Sequence, residues 1–237
     1  MHSLLPKDRF SYSLNFDKHL LTHGRVIMDK LLNSDSMFDR EYKGKIWRKH
    51  FKWYSEFELN QYFNDNISKH LGISEFNEIK FERTFAHKDI DGLQLRRTRY
   101  RGIDVTNHLP GTKPHAASTF YFHVDEGFPL ANYKMIVNLN DVTSGGTFLA
   151  DPILTPFDKD GEIFFGDNII LSENIKEKEI LGKAGTVYCA SSHILHRASL
   201  PKEGYTDKMH LSFTLKGDKY LADKYKEGQF KYNFSEL

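Results

Sequence analysis

The chain has 237 residues, of which 39% are hydrophobic and 27% are charged, so it has enough apolar material for a core and too little charge for a disordered chain. The 33 Lys and Arg residues are balanced by 32 Asp and Glu residues, which argues against a field that attracts nucleic acid or an anionic membrane. The only cysteine, Cys189, excludes an intramolecular disulfide and an all-cysteine zinc site, and it fits a reducing compartment.

A chain of this length suits one domain with elaborations, and we predict a single domain over residues 1–237. No apolar stretch approaches the roughly 20 residues that a membrane-spanning helix needs. We therefore expect a cytoplasmic protein that does not associate with membranes and binds nucleic acid weakly.

Residues 1–91 are predicted to be a mainly helical N-terminal elaboration. Between Asp17 and His87, side chains that suit one helix face recur at spacings of three and four residues, and the clearest set is Leu59, Tyr62, Phe63, Asn66, Ile67 and Leu71. The run KIWRKHFKWYSEFEL mixes basic and aromatic residues. We interpret its aromatic residues as the buried stripe of a helix, and a surface that stacks on nucleic-acid bases is the alternative.

After Gly92 the pattern changes to alternating or short apolar runs, which predict β-strands. These runs are LQLRRTRYRG, ASTFYFHVD, YKMIVNLND, GGTFLAD, GEIFFGD, GTVYCAS and KMHLSFTLKG. Gly, Pro, Asn and Asp separate them at short intervals, as in strands joined by turns. The pattern indicates an antiparallel sandwich or jelly roll over residues 92–216, with the N-terminal helices packed outside it and residues 217–237 as a C-terminal tail.

Two metal-binding side chains stand at the end of one predicted strand, in the run FYFHVD. His123 and Asp125 are two residues apart, so both side chains leave the same face of the strand. An imidazole nitrogen and a carboxylate oxygen suit a divalent metal, and a histidine from another strand would complete a facial triad with three open positions. His196, in SSHILHRAS, is our choice for that third ligand, and His193 is its competitor.

The segments FHVDEG, YKMIVNLNDVTSGGTFLADP and GTVYCASSHILHRASLPKEG, in this order, resemble the phytanoyl-CoA dioxygenase-like branch of the iron(II)/2-oxoglutarate oxygenases over roughly residues 93–216. The resemblance implies a double-stranded β-helix, which is a jelly roll of the cupin-like kind. It implies an enzyme that uses iron(II), 2-oxoglutarate and molecular oxygen to hydroxylate a C–H bond of a small or medium-sized molecule, with succinate and carbon dioxide as coproducts. By motif position it implies His123, Asp125 and His196 as ligands, and a turn at Gly145 and Gly146.

The resemblance also implies a cation on a late strand that pairs with the far carboxylate of 2-oxoglutarate. The family usually carries an arginine there, and this chain has no arginine after Arg197. Alternation in DKMHLSFTLKG sends Lys208, His210 and Ser212 to one face. We predict Lys208 as the anchor, assisted by Ser212, with His210 as the alternative and Lys134 as the next candidate.

Several other interpretations of these residues remain open. The row Arg97, Arg99 and Arg101 falls on one strand face and either holds an anionic substrate or is a solvated surface. A zinc site that recruits His108 and His115 is an alternative to the iron site. The function alternatives are an oxygenase that acts on a protein side chain or a nucleobase, and a metal-binding cupin-like sensor without turnover.

Overall fold

The structure is a computed structural model that describes residues 12–34, 38–42, 45–51, 62, 65–66, 69–70, 81–82, 93–99, 122–123, 132–151, 176–191 and 194–215. Within these ranges lie one α-helix and eleven β-strands. They are β1 (Tyr12–Phe16), α1 (Lys18–Leu32), β2 (Phe38–Tyr42), β3 (Lys45–Phe51), β4 (Phe81–Glu82), β5 (Leu93–Arg99), β6 (Asn132–Asn138), β7 (Val142–Asp151), β8 (Lys176–Gly182), β9 (Thr186–Ser191), β10 (His196–Ala198) and β11 (Tyr205–Leu215).

The strands form two antiparallel sheets that face each other. The large sheet has the order β1-β9-β6-β11-β5-β3-β2, and β4 pairs with β11. The small sheet has the order β10-β7-β8, and residues 122–123 extend it because His123 forms an antiparallel bridge with His196 of β10. From β6 to β11 the chain passes repeatedly from one sheet to the other. This course is that of a double-stranded β-helix, and it agrees with the predicted jelly roll.

The main core lies between α1 and the outer face of the large sheet. Its buried residues come from α1, from alternate positions of β6, β9 and β11, and from Leu139, which directly follows β6. They are Leu20, Ile27, Met28, Leu31, Tyr133, Met135, Val137, Leu139, Val187, Cys189, Met209 and Leu211. Gly24 permits this close approach, because a Cβ atom there would lie 2.6 Å from Cδ2 of Leu139. The N-terminal helix thus packs outside the barrel, as predicted, and Cys189 is a core residue whose burial raises the pKa of its thiol.

A cluster around Asp17 holds α1 in place. The Asp17 carboxylate caps the helix by accepting a hydrogen bond from the Leu20 N–H at 3.0 Å, and its other oxygen accepts one from the Tyr62 hydroxyl at 2.9 Å. The same oxygen lies 3.0 Å from Nε2 of His70, which is fully buried. The Ser13 hydroxyl of β1 in turn donates to the His70 carbonyl oxygen. This cluster joins β1, α1 and the helical residues around position 70.

The mainly helical pattern predicted over residues 17–87 is wrong for three segments, because β2, β3 and β4 are strands. β3 pairs with β5 as well as with β2, so its backbone groups are satisfied by neighbouring strands on both sides. The run KIWRKHF is rich in aromatic and β-branched residues, which suit a strand once partners are present. Tyr62, Asn66 and His70 do have helical backbones, as predicted. Within the described ranges, no helix is long and apolar enough to cross a membrane.

Candidate functional site

The candidate metal site is built on two histidines of adjacent segments in the small sheet. His123 and His196 exchange two backbone hydrogen bonds of 3.0 Å, and their ring centroids are 4.7 Å apart with an interplanar angle of 46°. Side chains of directly paired residues in an antiparallel sheet lie on the same face. The two imidazoles therefore reach into the same space.

The orientation of the His196 ring is fixed by a hydrogen bond to a nearby backbone carbonyl group. Nδ1 lies 2.7 Å from the carbonyl oxygen of Ile194, and a carbonyl can only accept a hydrogen bond, so Nδ1 carries the proton. The neutral ring then has its lone pair on Nε2, the nitrogen that points away from the strand. Histidine ligands of metals commonly show this arrangement, in which one ring nitrogen donates to the protein and the other binds the ion.

The pair lies on the inner face of the small sheet. Leu149 of β7 is the register partner of His196 and is fully buried. Lys178 of β8 is the next partner in the same row, and its ammonium lies 5.4 Å from the ring centre of Tyr12, in β1 of the large sheet. Because this row contacts the opposite sheet, the two histidines face the space between the sheets.

The predicted ligands are therefore placed in part. His123 and His196 are brought together, whereas Asp125, His193, His108 and His115 lie outside the described residues. Among the residues that the structure describes, no group of three His, Cys, Asp or Glu side chains could hold a metal ion. A complete metal site would need a third ligand from the remaining part of the chain, and Asp125 stays a prediction.

Three of the predicted cosubstrate residues, Lys134, Lys208 and His210, lie on the inner face of the large sheet. Lys208 and His210 of β11 alternate with the core residues Met209 and Leu211, so they point to the side away from α1. Lys134 of β6 alternates in the same way with Tyr133 and Met135, and its backbone is the register partner of Ser212. The predicted common face of Lys208 and His210 is thus confirmed.

Lys208 has a partner inside the barrel. Its Nζ donates to the carbonyl oxygen of Gly145 at 2.8 Å, which links the large sheet to β7 of the small sheet. An ammonium group has three N–H donors, so this bond alone does not exclude a contact with a ligand carboxylate. It does orient the side chain towards the interior.

The predicted turn at Gly145 and Gly146 is wrong, because both residues lie within β7 at an irregularity where the register with β8 shifts. Gly145 has φ of 76°, a conformation that favours glycine. The Gly146 N–H donates to the Glu179 carboxylate at 2.8 Å, and the Ser199 hydroxyl donates to the Gly146 carbonyl at 3.1 Å. The bulge directs the Gly145 carbonyl to Lys208, and such a bulge cannot be distinguished from a turn by composition.

The arginine-rich strand β5 divides between the two faces. Arg97 forms a bidentate pair with Asp207 at 2.7 and 2.6 Å, and these hydrogen bonds raise the pKa of Arg97. Its charge is thereby balanced on the face that carries α1. Arg96, to which the sequence assigned no particular role, is the register partner of Lys208 and therefore lies on the inner face. Only the register between distant strands reveals this neighbour, so no local sequence signal identifies it.

Comparison with known proteins gives a likeness of fold. No protein-family model matches the sequence, and no curated protein matches it. The solved structures that are similar to this chain include these three. One is a prolyl hydroxylase from Trichoplax adhaerens in complex with a peptide of the hypoxia inducible factor oxygen degradation domain, with 11% identity, a TM-score of 0.51, and coverage of 91% of this chain and 87% of that one.

The second is the epimerase SnoN in complex with Fe3+, alpha ketoglutarate and nogalamycin RO, with 12% identity, a TM-score of 0.50, and coverage of 87% of this chain and 79% of that one. The third is an oxidoreductase of the 2OG-Fe(II) oxygenase family from Burkholderia pseudomallei, with 10% identity, a TM-score of 0.50, and coverage of 86% and 85%. These likenesses confirm the double-stranded β-helix.

Proposed function

We propose that the protein is a mononuclear iron(II) oxygenase that uses 2-oxoglutarate, with His123, Asp125 and His196 as the metal ligands. The observation that carries the proposal is the pair of imidazoles on the inner face of a double-stranded β-helix, with the His196 Nδ1 bonded to Ile194 so that Nε2 faces the interior. Two imidazoles and one carboxylate suit iron(II) and leave coordination positions open. The bound metal would supply oxidative decarboxylation of 2-oxoglutarate to succinate and carbon dioxide, coupled to oxidation of the substrate.

The far carboxylate of 2-oxoglutarate is held, in this proposal, by Lys208 with the help of Ser212, and His210 and Lys134 are the alternatives. The support is the charge of the interior. On strands β5, β6, β9 and β11, the positions that face inwards include Arg96, Lys134 and Lys208 and no Asp or Glu. Arg96 and Lys208 are register partners, and a bound carboxylate would interact favourably with both positive charges.

The substrate, in the same proposal, is a small or medium-sized molecule that is hydroxylated at a C–H bond. Arg96 of β5 and Lys134 of β6 share the inner face with Lys208, so an anionic group on the substrate would be attracted to this face.

The test is an anaerobic titration of the protein with iron(II) and 2-oxoglutarate, followed by the visible charge-transfer band of the chelate. We expect the band with the wild-type protein and no band with His123→Ala or His196→Ala. Under oxygen, succinate should form only with iron(II) present. Iron binding without the band or succinate would contradict an oxygenase and would favour a metal-binding sensor of the same fold.

A further inference from the structure

A buried arginine lies directly behind the histidine pair, on the outer face of the small sheet. Arg197 is 8% exposed and follows His196 in β10, so its side chain leaves the opposite face of the strand. Its guanidinium makes a bidentate ion pair with Glu177 of β8, in which Nε donates to Oε1 at 3.1 Å and Nη2 donates to Oε2. The Glu177 side chain is 41% exposed, and solvent screening limits the net stability of such a pair, so the geometry that this pair imposes is its more informative property.

The same guanidinium stands between two aromatic rings. Its central carbon lies 4.0 Å from the ring centre of Phe148 and 5.6 Å from that of Phe122, within the range of cation–π attraction. Phe148 belongs to β7 and is the register partner of Arg197. Phe122 precedes His123 in the segment that flanks β10 on its other side. The Arg197 side chain thus contacts both described neighbours of β10, which are the segment of Phe122 and β7. Through Glu177 it also contacts β8, the strand beyond β7.

The register places these outer residues directly behind the metal-binding row. His196 pairs with His123 on one side and with Leu149 on the other. The adjacent antiparallel row therefore contains Phe122, Arg197 and Phe148. Phe122 is one residue from His123 and Arg197 is one residue from His196, so a contact between Phe122 and Arg197 bears on the backbone separation of the two histidines.

We propose that Arg197 is a positioning residue that fixes His123 and His196 at the separation needed to bind a metal. The inference rests on the proposed function, since it assumes that the pair binds an ion. Arg197 would act through the backbone and through Phe122, without touching the metal. Substitution of a residue that orients metal ligands without binding the metal typically lowers the metal affinity by about 10- to 100-fold. We expect a decrease of this size when Arg197 is replaced.

The test compares Arg197→Met with a matched variant, Arg97→Met. Arg97 also makes a bidentate pair with an acid, Asp207, and lies over an aromatic ring, that of Tyr205, at 4.2 Å. It belongs to the large sheet, on the face opposite the interior. Both variants should lower the thermal unfolding midpoint of the apoprotein. Only Arg197→Met should weaken Co(II) binding, by about 10- to 100-fold, and alter the visible spectrum of the Co(II) complex.

Two milder variants keep the test decisive where Arg197→Met does not fold. Glu177→Gln removes the charge of a side chain that is 41% exposed, and Arg197→Lys keeps the charge but loses the bidentate geometry and the planar stacking surface. Both should weaken Co(II) binding in the same direction and to a smaller extent. Wild-type Co(II) affinity and spectrum in both of these variants would overturn the positioning role. Failure of the wild-type protein to bind Co(II) or iron(II) would instead overturn the proposed function, and this inference with it.

Discussion

Replacement of Lys208 by alanine separates two roles of this interior cation. A structural role, through its bond to Gly145, affects stability, and a role as anchor affects the affinity for 2-oxoglutarate. The variant loses the bond from Nζ to the Gly145 carbonyl at 2.8 Å, and a hydrogen bond with one charged partner contributes about 1.5–3 kcal/mol. That part of the loss should appear in the thermal unfolding midpoint. If Lys208 also holds the far carboxylate of 2-oxoglutarate, loss of a buried charged partner costs about 2–5 kcal/mol, which is at least about 30-fold in affinity.

The assay is an anaerobic titration of 2-oxoglutarate against the iron(II)-loaded protein, read from the charge-transfer band, together with thermal unfolding of the apoprotein. We expect Lys208→Ala to weaken 2-oxoglutarate binding by at least about 30-fold while iron(II) binding stays close to wild type. A lower unfolding midpoint with unchanged 2-oxoglutarate affinity would refute the anchor and leave Lys208 as a brace for the bulge in β7. If Lys134→Ala shows the loss instead, the anchor is Lys134. Affinity that falls as pH rises through neutrality would indicate His210, since imidazolium loses its proton there.

Further predictions concern the proposed metal ligands, the buried His70 and the bulge at Gly145. Single replacement of His123, Asp125 or His196 by alanine should abolish activity and metal binding with an unchanged circular dichroism spectrum. Full activity in His196→Ala together with loss of activity in His193→Ala would show that His193 is the third ligand. Burial lowers the pKa of His70 from its usual 6.5 despite the nearby Asp17 carboxylate. The unfolded chain therefore binds a proton that the folded chain does not, and the unfolding free energy should decrease as pH falls below 6.5. His70→Gln should flatten this pH dependence in thermal melts between pH 5 and 8. Gly145→Ala should destabilise the folded protein more than Gly204→Ala. Both glycines have positive φ, but of the two only Gly145 has backbone close to the position of a Cβ atom, which would lie 2.6 Å from the Pro201 nitrogen. Equal melting temperatures of the two variants would contradict this prediction.

The strands that the sequence predicted are those with an apolar core face. In β11, Met209 and Leu211 alternate with polar residues, and the two-residue period identifies both the strand and its buried side. In β6 the short apolar run at residues 135–137 identifies the strand. The same alternation correctly assigned Lys208 and His210 to one face. Local pattern was sufficient here because each strand carries its own core residues.

The strands that were missed or misassigned depend on their partners. β8, with the run KEKEILG, has a mostly charged and exposed first half, and it is a strand because β7 pairs with it along most of its length. β10 has three residues, too few for any period to be visible. For β3 the pairing with β5 overrides a pattern that also fits a helix.

The candidate site shows the same limit. His123 and His196 were predicted as ligands from residue type, order and family resemblance; the structure pairs them in a bridge, and their role as ligands stays a prediction. The neighbours Arg96 and Arg197 were not assigned a role, because the contacts of Arg197 with Phe122, Phe148 and Glu177 depend on register across three strand pairs. A single sequence contains no local record of such register.

The strict alternation of β6 separates two tasks along one strand. Tyr133, Met135 and Val137 hold α1, while Lys134, Ile136 and Asn138 face the interior. Substitutions at the second set can therefore change which ligand the barrel accepts without disturbing the helix, so ligand preference can diverge between descendants of one stable scaffold. Insertion or deletion of a single residue within β6 would exchange the two sets, so length changes inside the strand should be rejected.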